Sequence, residues 1–271
     1  MSRKIRYAAV SEKGKRPNNQ DAVLAAVAGD IAIMVVADGM GGHSFGERAS
    51  GEIIKGLDEC WHYIYKNRVS VQKEDAYTMC RDVLHRVNKE LYEEYAEKGI
   101  VSGSTVVLLF IWGDEYAVMS VGDSHIYHIA DGSLSTMTTD DVWENTQEVL
   151  LTMDEKQRRE DPRHGKLTAA VGPYRKMLIH EKRGKLGLKE QFLLCSDGIY
   201  RYIREKDMEK LLKNFWLSEK RIVKILVKKA LKNKTSDNYS AVLCRYKKRK
   251  TDTGKSRKER SLRGKSSKKQ S

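Results

Sequence analysis

The sequence predicts an α+β protein built from antiparallel sheets. Short runs rich in Val, Ile and Leu occur in groups with turn residues between them, which is typical of strands that follow one another along the chain. Segments with helical periodicity occur in pairs. A doubly wound parallel sheet would require strands and helices to alternate, so the observed grouping favours antiparallel sheets flanked by helices.

Seven segments have the length and composition of strands. Gly113-Asp114 separates two of them and is typical of a hairpin turn. The predicted strands are Ala22–Ala28, Ile31–Ala37, Thr105–Trp112, Tyr116–Val121, Ile126–Ile129, Phe192–Cys195 and Ser240–Tyr246.

Four segments have helical periodicity. Two long helices are predicted over Glu47–Lys66 and Gln72–Lys98; the second carries an apolar stripe at helical spacing, which we interpret as a core contact. Two further helices are predicted over Glu205–Phe215 and Glu219–Lys232, and Ser218 is suited to cap the last one.

Composition restricts the class of protein. The 271 residues are enough for one large domain or two small ones. No segment approaches the ~20 apolar residues of a membrane span, and the apolar part of the N-terminus is too short for a signal peptide. The four cysteines are widely spaced without a C-x-x-C pair, so we expect reduced, mostly buried thiols in a cytoplasmic protein.

The positive charge is concentrated at the C-terminus. Residues 247–271 contain twelve Lys or Arg and two acidic residues, a net charge of +10, which leaves +4 of the total +14 for residues 1–246. This tail has one large apolar residue, Leu262, so we expect it to be disordered and separate from a domain at 1–246. It is suited to an anionic partner, although a solubilising tail without a partner is an equal alternative.

Aspartates stand beside five apolar segments. Asp38, Asp123 and Asp197 follow such segments, whereas Asp21 and Asp237 precede them. If these strand ends converge, the carboxylates repel one another unless a cation compensates them. All-oxygen ligand sets favour hard ions such as Mg²⁺ or Mn²⁺. Any single Asp is readily explained as a turn residue, but the set of five predicts a metal site.

A paired metal site indicates phosphoryl chemistry. Two metal ions about 3.5–4 Å apart can share a bridging hydroxide and direct it at a phosphorus centre. Such a site also needs a cation for the phosphate oxygens. Arg16 stands five residues before Asp21, and its guanidinium matches phosphate geometry.

These segments together resemble the metal-dependent protein serine/threonine phosphatases of the type 2C (PPM) family, bacterial branch. The order and approximate spacing of the blocks fit across residues 5–246. The matching blocks are Arg-Pro-Asn-Asn-Gln-Asp (16–21), Val-Ala-Asp-Gly-Met-Gly-Gly-His (36–43), Ser-Gly-Ser-Thr (102–105), Val-Gly-Asp-Ser-His-Ile-Tyr (121–127), Leu-Thr-Ala-Ala-Val-Gly (167–172), Leu-Leu-Cys-Ser-Asp-Gly-Ile-Tyr (193–200) and Ser-Asp-Asn-Tyr-Ser (236–240).

The resemblance implies a fold of two packed antiparallel β-sheets flanked by helices, with two to three Mn²⁺ or Mg²⁺ ions at one end. It implies that Asp38 bridges two metals and that the Gly39 carbonyl ligates one of them. Asp197 and Asp237 complete the other metal's protein ligands. Asp21 holds metal-bound water, and Asp123 forms a third, weaker metal site with Asp197.

The resemblance also implies roles on the substrate side of the site. Arg16 holds the substrate phosphate. His43 has two open roles: it assists protonation of the leaving alkoxide, or it only orders the glycine loop. Gly41 and Gly42 are expected to let the backbone turn close to the metal.

Several positions depart from the family pattern. Gln20 stands where many relatives have Glu, and His125 stands where Arg usually follows Gly-Asp-Ser. Asp140-Asp141 replaces the usual Asp-His, and Ala169 replaces a frequent Arg. None of these removes a principal metal ligand. They do alter the substrate side and the segment 141–166, which we call the flap.

The sequence therefore predicts a monomeric protein phosphatase that hydrolyses phosphoserine and phosphothreonine on proteins through a metal-bridged hydroxide. Phosphoproteins are the expected substrates, and a Ser/Thr kinase is the expected functional partner. Two alternatives remain open at this point: a pseudophosphatase that acts as a regulatory binding module on the same fold, and a nucleic-acid-binding protein directed by the basic tail.

Overall fold

The structure is a computed structural model that describes residues 3–42 and 45–248. It contains two antiparallel β-sheets. The eleven described strands are β1 Arg3–Glu12, β2 Asp21–Ala28, β3 Ile31–Gly41, β4 Ser102–Ser104, β5 Val106–Trp112, β6 Glu115–Val121, β7 His125–Ala130, β8 Ser133–Thr136, β9 His180–Lys185, β10 Lys189–Cys195 and β11 Tyr239–Lys248.

The strand order divides the chain between the two sheets. The first sheet has the order β1-β11-β10-β7-β8, and the second has the order β2-β3-β5-β6-β9, with the short β4 paired to the end of β3. Every paired strand is antiparallel to its neighbour. The prediction of antiparallel sheets is therefore confirmed.

Helices cover the outer face of each sheet. The described helices are α1 Phe45–Lys66, α2 Lys73–Glu94, α3 Gln147–Thr152, α4 Glu155–Glu160, α5 Asp197–Tyr200, α6 Glu205–Leu212 and α7 Glu219–Lys232. The pair α1 and α2 packs on the second sheet, and α5, α6 and α7 pack on the first. Two sheets between two helical layers form a sandwich of four layers.

The alternation of side chains along β3 shows why the predicted strands are so apolar. Ile33 and Val35 point to the helices of the second sheet, whereas Met34 and Val36 point to the other sheet. All four are fully buried. A strand that is covered on both faces needs apolar residues at every position, which explains the continuous runs in the sequence.

All seven predicted strands are present, and the hairpin at Gly113-Asp114 joins β5 to β6. The strands that the sequence did not reveal are β1, β4, β8 and β9. Three of these are sheet edges, where one side is open to solvent and charged residues are common. The segment of β9, His-Glu-Lys-Arg-Gly-Lys, contains no large apolar residue.

The predicted helices are confirmed with changed ends. The second helix stops at Glu94, and a 3₁₀ turn at Ala96–Lys98 follows it. Helix α6 ends at Leu212 rather than at Phe215. Ser218 caps α7 as predicted, since its side chain accepts a hydrogen bond from the Arg221 N–H. The short α3 and α4 were not predicted and lie in the flap.

Three other expectations concern the whole chain. The four cysteines are free and buried, as predicted. Among the described residues no helix has the length and apolar character that crossing a bilayer requires. Strand β11 continues through Lys248, two residues beyond the predicted strand end at Tyr246. Residues 249–271 of the predicted tail lie outside the described residues.

Replacing Phe110 by Ala tests the core between the second sheet and its helices. Phe110 is fully buried and packs edge-on against Tyr77 and Trp61, with ring centroids 5.6 and 6.3 Å away. We expect Phe110→Ala to lower the free energy of unfolding by about 3–5 kcal/mol in urea titrations. The control Val69→Ala, at a 94% exposed side chain, should stay within about 0.5 kcal/mol. A loss below ~1 kcal/mol at Phe110 would contradict this packing.

Candidate metal centre

A cleft of about 360 Å³ opens where strand ends from both sheets meet. It receives the end of β3, the loop before β2, the turn between β6 and β7, the start of α5 and the loop before β11. The lining residues are Arg16, Gln20, Asp38, Gly39, Met40, Gly41, Thr105, Asp123, Gly165, Leu167, Asp197, Arg201, Asp237 and Asn238.

Strand register explains why distant aspartates converge here. Asp21 and Asp38 lie directly opposite each other on β2 and β3. On the first sheet, Cys195 lies opposite both His125 and Ala241, so the segments that adjoin these three strand ends are neighbours. Asp123, Asp197 and Asp237 lie in those segments. Antiparallel pairing thus gathers carboxylates from five separate segments.

Asp38 lies inside β3, because the strand continues to Gly41 rather than ending at Ala37 as predicted. Its N–H donates to Thr105 Oγ1 at 3.2 Å, and its carbonyl accepts from the Thr105 N–H at 2.9 Å. Burial raises the pKa of Asp38 well above its ordinary value, and the charges of four neighbouring carboxylates raise it further. These neighbours are Asp21, Asp197, Asp123 and Asp237.

Asp21 is buried at the cleft, with the same small exposed fraction as Asp123. Its side chain accepts a hydrogen bond from Ser196 Oγ at 2.7 Å through Oδ2, while Oδ1 has no hydrogen-bond partner among the described residues. Burial raises the pKa of Asp21 to about 6, even though the Ser196 hydrogen bond opposes the shift. A buried carboxylate oxygen without a donor is suited to water or to a cation.

Asp197 is the first residue of α5, at the edge of the cleft. Burial raises the pKa of Asp197 to about 6, against the lowering effect of the Arg201 charge. The neighbouring carboxylates of Asp123 and Asp237 add to the increase. The cleft therefore holds its negative charge at an energetic cost.

Arg16 lies at the cleft, next to a predicted metal ligand. Its Nη2 donates to Asp237 Oδ2 at 2.8 Å. The loop that carries Arg16 is fixed by Asn238, whose side-chain amide donates to the carbonyls of Lys13 and Asn18. The Asn238 Oδ1 also accepts from the Gln20 N–H. Sequence reasoning named the Asp-Asn pair but gave Asn238 no role.

Arg201 is a cleft residue that sequence reasoning missed. Its Nη2 lies 2.8 Å from Asp123 Oδ2, and its Nε lies 3.4 Å from Asp197 Oδ2. The four-residue spacing between Asp197 and Arg201 at a helix start was the available signal, since such pairs face each other on a helix. Arg16 and Arg201 are the two positively charged residues that line the described cleft.

The glycines after Asp38 have different roles. A Cβ on Gly39 would lie 2.2 Å from the Gly46 carbonyl oxygen and 2.5 Å from that of Gln20, so only glycine fits there. Gly41 has φ 139° and a close approach to the Val101 carbonyl, which supports the predicted tight turn. A Cβ on Gly42 would meet no atom of the described residues within 4 Å, so this part of the chain gives no steric reason for glycine there.

The residues that depart from the family pattern support the turn around Asp123. Asp141 accepts from the Gly122 N–H at 2.8 Å and from His180 Nε2. His125 lies between the Tyr127 hydroxyl and Asp140, 2.8 and 2.9 Å away. These contacts tie the start of the flap to the cleft.

The flap lies along the rim of the cleft. Its two ends are joined by the hydrogen bond from the Trp143 N–H to the Lys166 carbonyl at 2.8 Å. Gly165 and Leu167 contribute to the cleft lining. The flap therefore borders the cleft through Gly165.

The donor set fits hard divalent cations. It consists of carboxylates and backbone carbonyls, and burial raises the pKa of two of its Asp side chains to about 6. In the described part of the chain, no three His, Cys, Asp or Glu side chains are gathered closely enough to enclose a metal by themselves. His43 lies outside the described residues.

Comparison with known proteins gives the same result at the level of the family. The family model described as protein phosphatase 2C matches residues 11–233. The serine/threonine phosphatase stp of Listeria monocytogenes is 30% identical over 216 residues, which cover 78% of this chain and 83% of the relative.

Two solved structures have the same architecture. PppA, a regulatory component of T6SS in Pseudomonas aeruginosa, superimposes with a TM-score of 0.73 at 27% identity and covers 89% of this chain and 96% of its own. The catalytic domain of the phosphatase PstP in complex with two manganese ions has a TM-score of 0.73 at 23% identity, covering 91% of this chain and all of that domain. With the match over residues 11–233 and this four-layered sandwich, the chain belongs to the protein phosphatase 2C family.

Proposed function

We propose that the cleft hydrolyses phosphoserine and phosphothreonine in proteins, with divalent metal ions as cofactors. The convergence of five aspartates with Arg16 at one end of the sandwich carries this proposal. The relatives in Listeria monocytogenes and Mycobacterium tuberculosis are named serine/threonine phosphatases, which supports the substrate class.

Two Mn²⁺ or Mg²⁺ ions are the proposed cofactors. Asp38 would be a ligand of both ions and the Gly39 carbonyl a ligand of one of them, whereas Asp197 and Asp237 would hold the other. Asp21 would act on a water at the site through its unpaired Oδ1. When bound, the ions lower the pKa of coordinated water and neutralise charge on phosphate oxygens. The two manganese ions in the PstP catalytic domain support this number.

Arg16 is the proposed phosphate-binding residue. A guanidinium has five N–H donors, so Arg16 can keep its bond to Asp237 and still donate to two oxygens of a phosphate group. Its side chain is 55% exposed, which leaves it accessible from solvent. The Asn238 contacts that fix its loop reduce the entropy lost when the phosphate binds.

The leaving serine or threonine oxygen must receive a proton. His43 is the proposed donor, and ordering of the glycine loop is its alternative role. Gly39, Met40 and Gly41, which precede His43 in the sequence, line the cleft.

An enzyme is favoured over a pseudophosphatase that only binds partners. A binding module has no need to keep five mutually repelling carboxylates, of which Asp21 and Asp197 have pKa values raised to about 6. We further propose a monomer that works opposite a Ser/Thr kinase, because its substrates must first be phosphorylated. Four buried, free cysteines support a reducing, cytoplasmic setting.

We propose the C-terminal tail as a second functional unit that binds an anionic partner. The described surface from which it leaves is already basic. Lys247 lies directly opposite Lys4 on β1 and Lys189 on β10, which forms a row of three lysines across three strands. Like charges placed opposite each other destabilise a sheet. The 98% exposed Trp216 stands beside this row, in a cleft that all three lysines line.

Activity should depend on metal and on two aspartates. We expect hydrolysis of p-nitrophenyl phosphate and of a phosphothreonine peptide with Mn²⁺, and its loss in EDTA. Asp38→Asn and Asp237→Asn should each lower kcat/KM by about 100-fold or more, since several kcal/mol of transition-state stabilisation depends on the metals. Asp131→Asn, in an exposed turn with φ 49°, is the matched control. Full activity of Asp38→Asn would refute the proposed function.

Although Asp38→Asn should lower activity, we do not expect it to lower the stability of the metal-free protein. Asp38 is crowded by four carboxylates, so an amide there removes repulsion. We expect metal-free Asp38→Asn to melt at least as high as the unchanged protein, with a gain of up to ~2–4 °C per kcal/mol relieved. Added Mn²⁺ should then raise the Tm of the unchanged protein more than that of the variant. A clear drop in the Tm of metal-free Asp38→Asn would contradict the repulsion.

The tail and the lysine row should bind polyanions together. We expect the protein to bind a labelled single-stranded oligonucleotide with an affinity that falls steeply as the salt concentration rises. Removal of 249–271 should reduce this salt dependence, and so should the triple change of Lys4, Lys189 and Lys247 to Gln. Turnover of p-nitrophenyl phosphate should not change in either variant. Lys232→Gln, on the exposed end of α7, is the control. Salt-independent binding would refute the electrostatic role, and binding to anionic vesicles alone would redirect it to membranes.

A further inference from the structure

Arg201 joins two carboxylates that the family resemblance assigns to a third metal ion. Its Nη2 lies 2.8 Å from Asp123 Oδ2, and its Nε lies 3.4 Å from Asp197 Oδ2. Only 6% of Asp123 is exposed, so this ion pair is largely shielded from solvent on the aspartate side. A shielded pair is screened by salt much less than a surface pair.

The surrounding residues hold Arg201 and Asp123 in place. The Tyr200 hydroxyl donates to the same Asp123 Oδ2 at 3.3 Å. The Tyr200 ring stacks on His125 with centroids 3.8 Å apart, and His125 is in turn fixed by Asp140. The position of the guanidinium is therefore set by contacts from the β6–β7 turn, from β7 and from α5. This differs from an exposed arginine such as Arg204, which pairs with Asp207 and is 85% exposed.

Arg201 and Tyr200 both donate to Asp123 Oδ2, so this oxygen is already engaged within the chain. A guanidinium keeps its positive charge at any pH the protein tolerates. A divalent cation placed between Asp123 and Asp197 would lie next to that fixed charge and would be repelled by it. The two aspartates thus already have a counter-ion that is part of the chain.

We propose that Arg201 takes the place of the third metal ion between Asp123 and Asp197, so that this chain binds two metal ions rather than three. The inference rests on the proposed function in one respect, namely that Asp38, Asp197 and Asp237 hold the other two. It assigns Asp123 a different role from the one that the resemblance implies: Asp123 positions Arg201. A metal ion bound from solution would supply a positive charge only while it is bound. The charge of Arg201 belongs to the chain, so it does not depend on the metal concentration.

The number of bound metal ions tests this inference. Equilibrium dialysis of the full chain against Mn²⁺ should saturate at two ions. Arg201→Gln should bind a third, weaker ion, and adding Asp123→Asn to that variant should return the number to two. Arg201→Lys, which keeps the charge, and Arg204→Gln, the matched control, should both stay at two.

Three results would overturn the inference or its basis, and they are distinguishable. Saturation of the unchanged protein at three ions, with Asp123→Asn falling to two, would show that a metal does bind there. An Arg201→Gln variant that is folded by circular dichroism and still binds two ions would show that Arg201 does not exclude a third. If Arg201→Gln does not fold, Asp123→Asn in the unchanged background decides, since it should leave the number at two. No Mn²⁺ binding at all would instead refute the proposed metal centre.

Discussion

Mutual repulsion among five buried or half-buried carboxylates is the constraint on which this structure depends. Asp38 experiences the charges of Asp21, Asp197, Asp123 and Asp237, and its own burial as well. In a loose structure these side chains would move apart. They cannot do so here, because their strands are packed on both faces: β3 alone contributes alternate residues to a helical layer and to the inter-sheet core. The free energy gained by burying the apolar layers thus offsets the repulsion among the carboxylates. Such locally unfavourable arrangements are common at functional sites.

Two arginines from different parts of the chain offset part of this charge. Arg16 comes from the loop before β2 and pairs with Asp237, whereas Arg201 comes from the end of α5 and pairs with Asp123 and Asp197. Their surroundings differ in a way that matches different roles. Arg16 is 55% exposed on a loop that Asn238 holds. Arg201 is directed at a carboxylate that is almost completely buried, and a stacked Tyr200–His125 pair supports that carboxylate. One cation is available to a ligand, and the other is engaged internally.

The sequence predicted the features that are determined locally and missed those that depend on register. Continuous apolar runs revealed the long buried strands. The buried β4 was missed because it is short and polar, and the edge strand β9 has a charged sequence that resembles a loop. The five aspartates were recognisable because each adjoins an apolar segment, and the resemblance to a known family supplied their roles. The pairing of Asp21 with Asp38 depends on the β2–β3 register, and the contact of Arg201 with Asp123 bridges 78 residues. Neither of these can be derived from spacing, although the pairing of Arg201 with Asp197 can.

Strand β11 connects the acidic cleft with the lysine row. Asp237 lies just before its first residue, and Lys247 lies near its last, beside Lys4 and Lys189. Ten residues of extended chain span roughly 30 Å. If the lysine row is attached to a polyanion, the acidic cleft lies at about that distance from the attachment point. Phosphoproteins attached to the same polyanion would then meet the cleft at a high effective concentration. Such a phosphatase would choose its substrates by where they are located as much as by the residues around the phosphate.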